Sequence, residues 1–73
     1  MERYDNLSGN SPVTHFQIED DRISVWFRGN SKPYIYPEYK TGGFHLEQLK
    51  ARAISGSGLS AYITKNVKDK FIR

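Results

Sequence analysis

Two tyrosines in the middle of the chain, Tyr34 and Tyr36, are of a type and at a spacing that could bind a ligand through their ring faces. They stand two residues apart, so in a β-strand both rings lie on the same face. Ring faces at this spacing can stack nucleic-acid bases while nearby cations hold the phosphates. The alternative is that both rings pack beneath a helix, with their hydroxyls at the rim of the core.

Cations lie near these tyrosines and continue into the C-terminal half. Residues 1–31 carry three Arg against five acidic residues, or −2, and residues 32–73 carry eight Lys or Arg against three, or +5, giving +3 in total. A basic half favours an anionic partner, although lysines on helix faces often only keep those faces solvated. The candidate nucleic-acid contacts are therefore Arg28, Lys32, Tyr34, Tyr36, Lys40, Lys65, Lys68 and Lys70.

A second group of candidates would lie on the opposite side of the predicted sheet. If the apolar face of the strand Arg22–Arg28 packs against helices, Trp26 faces away from them. Together with His15 and Ile35 it would form an aromatic patch, and exposed apolar patches mark interaction sites. The alternative is that the N-terminal segment, a helix or a second copy covers this patch.

The sequence contains no pattern typical of an active site, a metal site or a cofactor site. His15 and His45 are the only histidines and lack the spacing of metal ligands. The acidic run 19–21 lacks the spaced ligands of a calcium loop, and the run 55–58 lacks the spacing of a phosphate-binding loop. We therefore expect a protein that is not an enzyme and uses no cofactor.

The strands that must position these residues are indicated by apolar alternation. Val13–Glu19 and Arg22–Arg28 alternate with period two, as strands with one buried face do. A Gly-Asn-Ser-Lys-Pro turn leads to a third run, Pro33–Tyr36. Such short connections predict a three-stranded antiparallel meander. Uninterrupted alternation in the first strand predicts that Phe16 faces the core and Val13 faces away from it.

Two helices follow in the prediction. Phe44–Ser55 places apolar residues on one stripe, and glycines at 56 and 58 end it. Leu59–Val67 carries apolar residues four apart and reads as a shorter second helix. The predicted fold is thus α+β in the order β-β-β-α-α, with both helices packed on one face of the sheet.

Composition bounds the class of protein. With 73 residues, 37% hydrophobic and 26% charged, the chain predicts one globular domain, here residues 12–73, preceded by a mobile arm over residues 1–11. The sequence has no Cys, no apolar segment after Met1 like that of a signal peptide, and no membrane-length apolar run. We expect a cytoplasmic protein without a membrane partner, either a monomer or a homodimer paired through strand edges.

Four short motifs occur in order along residues 11–72. They are an apolar strand, a central Tyr-x-Tyr, an Ala-x-Ser-x-x-Gly stretch and the apolar positions of a final helix: Ile23, Val25, Phe27, Tyr34, Tyr36, Ala53, Ser55, Gly58, Ile63 and Val67. This pattern resembles the KTSC domain, named after the C-terminal extension of some lysyl-tRNA synthetases and also found as small stand-alone proteins of bacteria and phages. The chain departs from the usual Gly-x-Tyr-x-Tyr, because Lys32 and Pro33 precede the first tyrosine.

The resemblance implies a small domain without an established activity, for which RNA binding has been suggested. The sequence as a whole therefore predicts a non-enzymatic module that binds RNA or another nucleic acid through a basic surface containing aromatic residues. The alternative is a protein-interaction module, such as a phage- or plasmid-encoded modulator of a host protein.

Overall fold

Apolar alternation produces the central strands where the sequence predicts them. In the computed structural model, which describes residues 1–73, strand β2 spans Val13–Glu19 and strand β3 spans Arg22–Phe27. Strand β4 spans Tyr34–Pro37, and β1 is a short strand at Glu2–Arg3. The four strands pair antiparallel in the order β1-β2-β3-β4, so the protein is α+β with four strands where the sequence predicts three.

The additional strand β1 comes from the segment that the sequence predicts to be a mobile arm. Glu2 lies opposite Phe16 in β2, and the next residue along β1 pairs there too. The ring of Tyr4 is buried in the core, and its hydroxyl accepts a hydrogen bond of 3.3 Å from the backbone N–H of Leu59. Backbone pairing and a buried ring therefore connect this segment to the sheet and the core.

A β-bulge in β2 changes which side chains reach the core. Val13 lies opposite Phe27 while His15 lies opposite Trp26, so Thr14 is the extra residue of the bulge. The Thr14 hydroxyl donates a 3.2 Å hydrogen bond to the Trp26 carbonyl. Because the bulge inverts the alternation, Val13 points into the core and is only 2% exposed. The prediction that Val13 faces away from the core is wrong.

The helices follow the sheet in sequence. A single turn, α1, spans Glu38–Thr41, and α2 spans Gly43–Ser55, one residue longer at its start than predicted. Gly56 ends α2 with a φ of 78°, where an added Cβ would lie 2.7 Å from that of Asp5. Helix α3 spans Leu59–Tyr62 and continues as one π-helical turn, Ile63–Val67. The second predicted helix is thus present, with a wider second half.

The core lies between the helices and one face of the sheet. That face carries alternate residues of β2, β3 and β4, including Ile23 and Val25, which are fully buried. The helices contribute their apolar stripes to the same cluster: Leu46, Leu49, Ala53, Leu59, Ile63 and Val67. None of the helices has both the length and the apolar character needed to cross a bilayer.

The last residues cover the outer edge of β4. Ile35 and Ile72 exchange two backbone hydrogen bonds of 2.8 and 2.7 Å, forming an antiparallel bridge. The ring of Phe71 packs at 4.6 Å from the centre of the Tyr34 ring and 5.9 Å from that of Tyr36. The edge that a second copy could pair with is therefore partly occupied by the chain itself.

Candidate functional site

The two tyrosines of β4 are engaged in packing. Tyr36 is 1% exposed, and this burial, helped by the nearby Tyr34, raises the pKa of its phenol to about 12. The half-buried Tyr34 ring contacts Phe71, and the Arg73 guanidinium lies 4.3 Å from its centre. A buried ring has no face to offer a base, so Tyr36 is not a stacking platform. Tyr36 instead packs in the core, as in the alternative interpretation of the sequence.

The cations predicted to act with these tyrosines do not form one patch. Lys32 precedes β4 and Lys40 follows it, so the two lie beyond opposite ends of that strand. The Lys40 ammonium lies 6.0 Å from the centre of the Tyr39 ring. Arg28 turns towards the carbonyl of Ser11, to which its guanidinium donates a long hydrogen bond of 3.5 Å. These three cations therefore do not support a phosphate track centred on Tyr34 and Tyr36.

A different site forms where α2 passes α3. A groove of about 390 Å³ lies between α2 and the segment made of α3 and its π-helical turn. Its lining has two cations, no acidic residue and one aromatic ring: Arg52, Gly58, Ala61, Tyr62, Lys65 and Asn66. Of the eight predicted nucleic-acid contacts only Lys65 lines it, and Lys68 and Lys70 lie beyond it in sequence.

Arg52 and Tyr62 are the best-defined pair in this groove. The Arg52 guanidinium carbon lies 4.5 Å from the centre of the Tyr62 ring, which is within the range of a cation–π contact. The same guanidinium donates a 3.2 Å hydrogen bond to the side-chain oxygen of Gln48. On the other side, the Tyr62 hydroxyl lies 2.6 Å from Nδ1 of His45. Both members of the pair are thus held in place by further side chains.

The helix α2 positions these partners through its period. His45, Gln48 and Arg52 follow one another at spacings of three and four, so they lie along one face of the helix. The exposed ring of Phe44 lies beside His45 near the start of α2, and the centres of the two rings are 5.5 Å apart. The result is a surface with aromatic and basic groups side by side, which we call the helix groove: Phe44, His45, Gln48, Arg52, Gly58, Ala61, Tyr62, Lys65 and Asn66.

Sequence reasoning missed the helix groove for an identifiable reason. The polar stripe of α2 could have been found from its spacing, but its partner Tyr62 lies on another helix. Tyr62 falls within the second predicted helix, Leu59–Val67, and only the way the two helices cross brings it beside Arg52. Spacing within one element cannot reveal that contact.

The second predicted patch lies together on the sheet face away from the helices. Trp26 is directly opposite His15, and Ile35 is opposite Ser24 in the next pair along β3. The half-buried Trp26, His15 and Ile35, with Ile72 bridged to Ile35, form what we call the open sheet face. The structure thus places these three predicted residues on one surface.

The remaining charged residues show no constellation for chemistry. His, Asp and Glu side chains nowhere come together in groups of three that could hold a metal ion. In the acidic turn between β2 and β3, Arg22 pairs with Asp21 at 3.1 Å and, by its hydrogen bond, lowers the pKa of that carboxyl. Both groups are on the surface, where such a pair adds little stability.

Comparison with known proteins adds neither a family nor a relative. No family model matches the chain, and no curated protein and no solved structure matches it either. The resemblance to the KTSC domain therefore stays a prediction from the sequence, and the function must be argued from the surface of the protein itself.

Proposed function

We propose that this protein is a small non-enzymatic module that binds single-stranded nucleic acid in the helix groove. The observation that carries the proposal is the Arg52–Tyr62 pair, a guanidinium held 4.5 Å from a ring centre inside a groove that Lys65 also lines. Unpaired bases stack on aromatic rings and on guanidinium planes, and cations bind the phosphates between them.

The arrangement of the groove suits a single strand better than a duplex. Arg52 is fixed by Gln48 and Tyr62, so little side-chain freedom is lost when a base stacks against it. Lys65 and Asn66 supply a charge and an amide at the same groove for a phosphate. A duplex buries its base faces, so it could use only the cations of this site.

The test is binding of a dye-labelled oligothymidylate, followed by fluorescence anisotropy at low and high salt. We expect the affinity to fall with salt, because each phosphate contact on a single strand adds roughly 0.7 to the slope of log affinity against log salt. Arg52→Ala and Lys65→Ala should each weaken binding and reduce that slope. Tyr62→Leu should weaken binding about 5- to 100-fold through lost stacking.

The matched control is Lys40→Ala, which removes an exposed cation that does not line the groove. This variant should bind as the parent does, and circular dichroism should show that every variant is folded. Absence of binding at low salt, or groove variants that bind as tightly as the parent, would overturn the proposal.

A second candidate function, binding of a protein partner, is favoured by the open sheet face. All the helical residues of the core pack on the other side of the sheet, so Trp26 and Ile35 have no helix above them. A host protein modulated by this chain would be such a partner. Trp26→Ala should then abolish partner binding and leave oligonucleotide binding unchanged, whereas Arg52→Ala should do the reverse.

A further inference from the structure

A second groove adjoins the helix groove and has a different chemistry. Its volume is about 650 Å³, and it lies between the segment before β2 and the start of α3. Six of its ten lining residues carry a hydroxyl or amide side chain: Ser8, Asn10, Ser11, Ser57, Ser60 and Thr64. It has one charged residue, Lys65, and we call it the hydroxyl groove.

The two grooves meet along a low crest. Gly58, Ala61 and Lys65 line both of them, so the stretch from the start of α3 into its π-helical turn separates one groove from the other. Glycine and alanine project almost nothing from that crest, whereas Lys65 places one cation at the junction. The small side chains at two of these three shared positions favour passage of a flexible chain from one groove to the other.

The wall of the hydroxyl groove is fixed by its own hydrogen bonds. The Asn6 side chain accepts a 3.1 Å bond from the Ser11 N–H and donates a 3.3 Å bond to the Ser11 carbonyl. The Leu7 N–H donates to the Gly56 carbonyl at 2.8 Å, which ties this segment to the end of α2. The groove thus exists before a ligand arrives, so binding there need not order a loop.

We infer that a nucleic-acid strand bound in the helix groove crosses this crest, and that the hydroxyl groove holds its sugar–phosphate backbone. This inference rests on the proposed function and adds a second subsite to it. Ser, Thr and Asn side chains are common donors to phosphate and sugar oxygens, and they need no aromatic partner because they do not read bases. Bases stack at Arg52, and the strand is then held past Lys65 by neutral hydrogen bonds.

The test compares a dithymidylate with an oligothymidylate of about 10 nucleotides, the size range of small single-strand sites. A longer strand gains affinity simply because it can bind in several registers, about ninefold for this pair. We expect the parent to exceed that statistical gain at least threefold. Ser60→Ala with Thr64→Val, at two positions that line only the hydroxyl groove, should reduce the gain to the statistical value while leaving dithymidylate affinity unchanged.

Ser31→Ala is the control, because it removes an exposed hydroxyl of the β3–β4 turn that lines neither groove. If the parent shows only the statistical gain, or if the Ser60→Ala, Thr64→Val variant keeps the full gain, the second subsite is refuted while the helix groove stands. If neither oligonucleotide binds the parent, the proposed function fails and the second subsite fails with it.

Discussion

At the residue scale, burial decides what a tyrosine can do here. Tyr36 and Tyr62 both stand near cations in the sequence, yet only Tyr62 borders a groove. The position of Tyr36 in a strand could be predicted from alternation, because the pattern is local. The role of Tyr36 could not be predicted, because it depends on which face of the sheet the helices cover.

Burial of Tyr36 predicts a distinctive response of stability to alkali. The pKa of its phenol is 10.0 ordinarily and about 12 in the folded protein, so the unfolded chain loses this proton first as pH rises. The stability that depends on the neutral phenol is therefore fully present below about pH 10 and is lost between about pH 10 and pH 12. The Tyr36→Phe variant has no phenol to ionise at this position. Above pH 10 the free energy of unfolding of the parent should therefore fall by up to about 1.4 kcal/mol per pH unit relative to that of the variant.

Urea unfolding of both proteins from about pH 8 to about pH 11 measures this difference in free energy. Tyr39→Phe is the matched control, since Tyr39 is 76% exposed and its removal should leave the pH dependence of the parent unchanged. If the free energies of unfolding of Tyr36→Phe and the parent change in parallel with pH above pH 10, the raised pKa of Tyr36 is contradicted.

At the element scale, the fold could be predicted where a pattern runs for several residues. The strands β2 and β3 and the helix α2 are long enough for their period to show. The two-residue strand β1 and the single turn α1 are too short for that, and each depends on neighbours for its stability. The bulge in β2 could not be predicted either, because one extra residue hardly changes the apolar pattern of the strand.

The bulge makes a prediction about Val13. In an unbulged strand its side chain would face solvent, and truncating it would change stability by less than about 0.5 kcal/mol. Since the bulge buries Val13 at 2% exposure, Val13→Ala should destabilise the protein by about 1 to 3 kcal/mol. Denaturant unfolding provides the measurement, with Gln17→Ala, an exposed position of the same strand, as the comparison. Equal small effects at both positions would mean that the strand is regular.

At the scale of the whole molecule, the two chain ends complete the sheet from opposite sides. The N-terminal strand β1 pairs with β2, and Ile72 bridges to Ile35 on β4, so both outer strands of the predicted three-stranded meander gain a partner. The sequence predicts either a monomer or an edge-strand homodimer, and such a homodimer would pair through β1, the part of β2 beyond it, or the part of β4 that Ile72 does not cover.

Removal of the last three residues should therefore change both stability and association. A chain ending at Lys70 loses the Phe71 ring from the tyrosines and the two backbone hydrogen bonds that Ile72 makes with Ile35. We expect a loss of about 2 to 5 kcal/mol, mostly from the ring, and new self-association through the exposed edge of β4. Sedimentation velocity over a range of concentrations reports the association, and urea unfolding reports the free energy.

Phe71→Ala separates the two effects, because it removes the ring but keeps the backbone bridge, and it should be destabilised yet remain in the oligomeric state of the parent. If the shortened chain associates no more than Phe71→Ala does, the terminal bridge has no part in keeping the edge of β4 closed.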